Sequence, residues 1–175
     1  MTLGKYVNMT DQTIQAASAP PGEEDLRQSI ELLFFAYRDF TAEADAVLAE
    51  YGFGRAHHRV IYFVGRNAGI TVSDLLDILR ITKQSLGRVL GQLVLEGFII
   101  QRPGPRDRRQ RLLELTGKGV ALERRLTGRQ TESIARACAG AGPQAVEGFR
   151  QVLLGLVQDS DRGRFTRRPA ANGGG

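Results

Sequence analysis

The chain has 175 residues, of which 42% are hydrophobic and 25% charged, with a net charge of +5 and a single cysteine. These values describe one soluble globular domain with tails and exclude an intramolecular disulfide framework. No uncharged apolar run approaches the roughly 20 residues that span a bilayer, and the first residues lack the apolar core of a secretory signal, so a cytoplasmic, reducing location is expected and no membrane partner.

Residues 1–22 are polar and close on Ser18-Ala19-Pro20-Pro21-Gly22, so they are expected to form a disordered N-terminal tail. From Asp25 to about Glu50, Leu26, Ile30, Leu33, Phe34, Tyr37, Phe40 and Ala44 recur at three- and four-residue steps, which predicts a long amphipathic helix. Tyr51-Gly52-Phe53-Gly54 breaks it. A second helix is predicted from Arg55 to Arg66, and Asn67-Ala68-Gly69 ends it. Thr71, with Asp74 three residues on, opens a short third helix whose buried side is Val72, Leu75, Leu76 and Leu79.

After a turn at Arg80-Ile81, Thr82 caps a fourth helix that runs to about Glu96, where Gly97 stops it. Two β-prone runs, Phe98–Arg102 and Arg111–Leu115, flank the turn-rich segment 103–110 and predict a hairpin. Thr116 caps a fifth helix to about Ala139, and a sixth is expected over residues 144–159. Residues 160–175 end in Gly173-Gly174-Gly175 and are expected to be a disordered C-terminal tail, its arginines either solvated or auxiliary phosphate contacts.

This order predicts a mostly α fold with a small β-hairpin, a winged helix-turn-helix over residues 71–115 inside a domain of residues 23–159. The stripes at 25–50, 116–139 and 144–159 exceed what one small winged core can cover, so these are expected to be dimerisation helices of a homodimer.

Charge is concentrated in the same place. Between Arg80 and Arg111 eight basic residues accompany two acidic ones, so this stretch carries +6 while the remainder of the chain is slightly acidic. Such a local field is the electrostatic footprint of a phosphate-binding protein. At about 100° per residue, Leu86, Val89, Leu90 and Leu93 fall on one side of the fourth helix. The other side holds Lys83, Gln84, Ser85, Gly87, Arg88, Gly91 and Gln92, and no acidic residue occurs from Ile78 through Leu95. Arg can bond a guanine edge, Gln an adenine edge, Ser either, and Lys guanine or phosphate. Gly87 and Gly91 either allow close approach to the sugar-phosphate wall or pack against a neighbouring helix. In the hairpin, Arg106, Arg108, Arg109 and Arg111 are candidates for minor-groove and phosphate contact, and Asp107 can pair with one arginine to hold the loop.

The pattern Thr71-x-x-x-Leu75, Ile81-Thr82, Leu86, Val89-Leu90-x-x-Leu93, Gly97-Phe98-Ile99, Asp107-Arg108-Arg109 and Leu113-x-Leu115-Thr116-x-x-Gly119 resembles the MarR family of bacterial transcriptional regulators. The string Ile81-Thr82-Lys83-Gln84-Ser85-Leu86 resembles the PetP-like branch of that family. The resemblance, over roughly residues 25–160, implies a homodimer that binds a palindromic operator in double-stranded DNA. It also implies a repressor relieved by a small aromatic effector or by a stress signal such as thiol oxidation. It matches Gln84, Ser85 and Arg88 to recognition-helix positions and Asp107 and Arg109 to the wing pair. Some members sense peroxide through a cysteine near the first helix; the cysteine here is Cys138, late in the fifth helix, where it is a small hydrophobe or a redox group.

His57 and His58 begin the second helix, near where the family places an effector pocket, and are the candidate effector-binding residues, against a plain structural role. Adjacent histidines point to different faces and do not form a helical metal pair. No metal site, cofactor or enzymatic grouping is expected. The competing reading is a winged-helix interaction module that docks an acidic protein partner.

Overall fold

The computed structural model describes residues 20–166; the outer parts of both expected tails, 1–19 and 167–175, lie outside the described residues. The elements are α1 (Glu23–Ala49), α2 (Arg55–Arg66), β1 (Ile70–Thr71), α3 (Val72–Leu79), α4 (Lys83–Leu95), β2 (Ile99–Pro103), β3 (Arg111–Leu115), α5 (Gly117–Ala141), α6 (Pro143–Leu156) and α7 (Asp159–Thr166). The chain divides into two units, Met1–Tyr37 and Arg38–Gly175, with the division inside α1.

In the first unit, three acidic residues, Glu23, Glu24 and Asp25, open α1 where the positive end of the helix dipole favours them. The Asp25 carboxylate accepts the Gly22 N–H at 3.0 Å, and Glu23 pairs with Arg27 at 2.9 Å. Leu26, Ile30, Leu33 and Phe34 are all exposed.

In the second unit, threonines start three helices by the same physics. Thr71 Oγ1 accepts the Asp74 N–H, Thr82 Oγ1 accepts that of Ser85, and Thr116 Oγ1 accepts that of Gly119, each at 3.1 Å. Each bond satisfies an amide that the first helical turn leaves unpaired. Gly97, at φ +75°, ends α4 in the left-handed conformation, and Phe98 N–H returns to Leu93 O at 2.8 Å. The core gathers Leu75 of α3, Leu86, Leu90 and Leu93 of α4, Val60, Ile61 and Val64 of α2, and Leu122 and Leu126 of α5. Phe98, Ile99 and Leu113 close it from the hairpin.

The sheet is antiparallel in the order β1-β3-β2, with Ile99 opposite Leu115, Gln101 opposite Leu113, and Ile70 also opposite Leu113. The hairpin thus falls one residue from its expected first bound, and β1 is an addition: two residues are too short for any periodicity to show. Thr116 also donates to Gly97 O at 2.6 Å, fastening the end of α4 to the start of α5. A Cβ on Gly119 would run into the Phe98 carbonyl oxygen, so this helix start approaches the hairpin as only glycine permits.

The C-terminal expectation needs correction. Residues 160–166, assigned to a disordered tail, belong to α7, which begins at Asp159, and α6, expected to run to 159, stops at Leu156. The cause is side-chain chemistry that composition does not reveal. Arg162 donates to the carbonyls of Leu154, Gly155 and Val157, which α6 leaves unpaired at its end, and pairs with Asp159 at 2.7 Å.

Candidate nucleic-acid interface

The Thr82 cap sets the phase of α4, and burial of Leu86, Leu90 and Leu93 turns the opposite face outward. Lys83, Gln84, Ser85, Gly87, Arg88 and Gly91 are all exposed on it. A Cβ added at Gly87 or Gly91 meets nothing within 4 Å, so neither glycine is there to admit a neighbouring helix. Gln92 behaves differently from its expected place on this face. It is half-buried, with Oε1 2.9 Å from His57 Nε2 and Nε2 donating to Glu96 Oε1 at 2.9 Å.

The wing is built by its backbone. Gly104 N–H donates to Gln110 O at 3.0 Å, Gln110 N–H to Asp107 O at 3.1 Å, and Arg109 N–H to Asp107 Oδ1 at 2.9 Å. Asp107 was expected to pair with an arginine side chain; it holds the loop through the Arg109 amide. Gly104 is buried at the base, where a Cβ would lie 2.7 Å from Asp107 O.

This leaves Arg106, Arg108, Arg109 and Arg111 exposed on the wing, and Lys83 and Arg88 exposed on α4. None of the six forms an ion pair among the described residues. Other arginines of the basic stretch are neutralised: Arg102 pairs with Glu114 across the hairpin at 2.9 Å, and Arg80 with Asp161 at 3.0 Å. Six uncompensated cations on two adjoining elements repel one another in the free protein, and that repulsion is relieved by a polyanion.

His57 and His58 diverge as adjacent helical residues must. His57 stacks on Phe53, centroids 4.6 Å apart at 8°, and both its nitrogens are engaged, Nδ1 by the Gly54 N–H at 3.1 Å and Nε2 by Gln92. His58 is half-buried, and loss of hydration lowers its pKa below the ordinary 6.5, against the opposing pull of Asp45 and Glu123 and with help from Arg59. Cys138 is half-buried and free. Among the described residues no group of three or more His, Cys, Asp or Glu could hold a metal ion.

A capped two-helix unit with an exposed polar face on its second helix, followed by an arginine-tipped hairpin, defines a winged helix-turn-helix protein. Residues 51–110 match the profile of the MarR family. Over 154 residues the chain is 47% identical to the HTH-type transcriptional regulator PetP of Rhodobacter capsulatus, a match that covers 84% of this chain and 93% of that protein. Among solved structures it is similar to Streptococcus pneumoniae FabT in complex with DNA, with a TM-score of 0.68 and 19% identity over 75% of this chain and 94% of that one. RV1404 from Mycobacterium tuberculosis gives 0.61 and 23%, covering 79% and 96%. The chain belongs to the MarR family. It is a DNA-binding transcription regulator.

Proposed function

We propose that this regulator acts as a homodimer on an inverted-repeat operator, α4 lying in the major groove of each half-site and the wing over the adjacent minor groove. The observation that carries this reading is the division of labour between two exposed surfaces. Lys83, Gln84, Ser85 and Arg88 offer base-reading chemistry on one helix face, while Arg106, Arg108, Arg109 and Arg111 offer charge on a loop. Dimerisation is supported by the apolar residues left in water on α1, α5 and α6: Ile30 is 70% exposed, Phe34 65%, Ile134 45%, Val152 64% and Leu156 66%. Side chains of this size scattered along three helices are covered at low cost by a second copy of the chain.

In this reading the protein represses, and a small aromatic effector or a stress signal relieves it. His58, half-buried beside Asp45 and Glu123, is the effector-side candidate, since His57 already spends both nitrogens inside the fold. No described helix is long and apolar enough to cross a membrane, and we place the protein with its DNA in the cytoplasm.

The test is selection of bound duplexes from a genomic pool with the purified chain, followed by sedimentation. The expected result is a dyad-symmetric footprint with half-site centres on the order of 10 base pairs apart, made by a particle of twice the 19.2 kDa chain mass. A monomer that binds with full affinity, or footprints without symmetry, would overturn it. An acidic protein partner in place of DNA would leave duplex affinity weak at every salt concentration.

A further inference from the structure

His57 occupies the third position of α2, where a capping box usually carries Glu or Gln, and its Nδ1 accepts the Gly54 N–H at 3.1 Å. A backbone amide can only donate, so Nδ1 is unprotonated and the neutral ring carries its hydrogen on Nε2. That N–H faces Gln92 Oε1 at 2.9 Å, and Gln92 Nε2 passes the chain on to Glu96 Oε1 at 2.9 Å. The amide orientation and the tautomer therefore fix each other.

The ring itself has little freedom. It lies flat on Phe53, whose own ring meets Phe98 edge-on at 5.2 Å. Phe98 follows directly on α4, and Lys118 sits 4.0 Å from its ring centroid while donating to Glu96 O at 2.9 Å. The turn that ends α1, the first turn of α2 and the last turn of α4 thus share one polar chain over one aromatic stack. Gln92 lies four residues after Arg88 and seven after Ser85, on the same stripe of α4.

We propose that His57 is a positioning residue for the recognition helix: through Gln92 it fixes the roll of α4 about its axis, and so where Gln84, Ser85 and Arg88 meet base edges. Gln92 is then a hydrogen-bonding tether and contacts no base. The inference rests on α4 being the reading helix.

The experiment is a double-mutant cycle on the purified full chain with His57→Phe, Gln92→Met and the double variant, binding both the selected duplex and random duplex. His57→Phe keeps the stack and loses both ring-nitrogen bonds. It should weaken binding to the selected duplex about five- to tenfold, the scale of the one part-buried hydrogen bond to Gln92, and leave random duplex within about twofold. Gln92→Met should give a similar loss, and the double variant should be no worse than either single one. His57→Gln, whose amide can reach Gln92 Oε1, should recover most of the affinity; it also carries the test, with Gln92→Met, if His57→Phe fails to fold.

Additive losses would overturn the proposal, because they would mean that Gln92 meets DNA independently. So would no recovery by His57→Gln, or equal losses on selected and random duplex. Arg88→Ala separates the two readings. If it leaves base preference intact, α4 is not the reader; if it shifts preference while the His57 variants do not, only the tether fails.

Discussion

Arg80 and Asp161 are 81 residues apart in the chain, yet Arg80 Nη2 lies 3.0 Å from Asp161 Oδ2, with Ser160 Oγ beside it at 2.9 Å. Arg80 is the C-cap of α3, at φ 50° and ψ 44°, a left-handed conformation that a non-glycine residue adopts at some cost. It forms the turn of the helix-turn-helix, two residues before the cap of α4. Asp161 also takes Arg164 Nε at 3.0 Å, and the two guanidiniums, Arg164 first, hold its carboxyl below the usual carboxylate range. The C-terminal helix thereby neutralises a cation at the edge of the proposed DNA-binding surface.

Asp161→Asn should release that charge. The pair is solvent-exposed, so thermal stability should change little. Affinity for random duplex should rise severalfold at low salt, and the salt dependence should steepen by about one unit if the freed Arg80 takes a phosphate. Anisotropy titrations at three salt concentrations measure both; an unchanged slope would mean that Arg80 does not reach the DNA.

The reading helix and the wing should fail in different ways. Arg88 is exposed on the α4 face, so Arg88→Ala should cost roughly 1–3 kcal/mol per half-site and relax preference at one symmetric pair of positions. Arg109 is exposed on the wing, so Arg109→Ala should weaken selected and random duplex alike and flatten the salt dependence by about one unit. Neither side chain is in the core, and dimerisation should be unaffected. The comparison uses the selected site, its single-base variants and random duplex at two salt concentrations.

His58 gives the fold a pH dependence with a definite sign. Burial lowers its pKa in the folded chain below 6.5, so the unfolded chain takes up the proton first as pH falls. The stability associated with neutral His58 is complete above 6.5 and is lost as the pH drops through that value towards the lower folded one. Melting temperature should therefore fall between about pH 7.5 and pH 5.5, and His58→Gln should flatten the fall. Asp161, held low by Arg164 and Arg80, contributes only at more acidic pH. Parallel curves for the two proteins would assign the acid sensitivity elsewhere.

What could be read from the sequence was what local rules govern. Thr71, Thr82 and Thr116 start the helices assigned to them because a hydroxyl before an apolar period has few other uses. The stripe Leu86, Leu90, Leu93 is buried for the same reason that it recurs. The differences turned on which partner a polar side chain takes, near or far in sequence, and periodicity does not choose among partners. Gln92 falls on the polar face by rotation, but His57, 35 residues earlier, engages its side-chain amide. Asp107 offered three nearby guanidiniums and took a backbone amide two residues on. The polar composition of 160–166 gave no sign that Arg162 would cap α6 or that Arg80 would reach Asp161.

Gly87 and Gly91 decide whether α4, the proposed recognition helix, gives up stability for access. Both are interior to α4 and exposed, and an added Cβ meets nothing within 4 Å at either position. Alanine should therefore be free of steric cost in the protein and should stabilise the helix by about 1 kcal/mol at each site. Close approach of the α4 backbone to the sugar-phosphate wall would make the same methyl groups an obstruction in the complex. Gly87→Ala and Gly91→Ala should then raise the melting temperature while weakening duplex binding, a separation that neither a folding defect nor a lost contact produces. Gly119→Ala supplies the opposite control. Its Cβ would strike the Phe98 carbonyl oxygen, so it should lower stability by more than about 2 kcal/mol and lose binding through unfolding. If Gly87→Ala and Gly91→Ala gain stability and bind DNA as well as the parent chain, close backbone approach is not what these glycines provide.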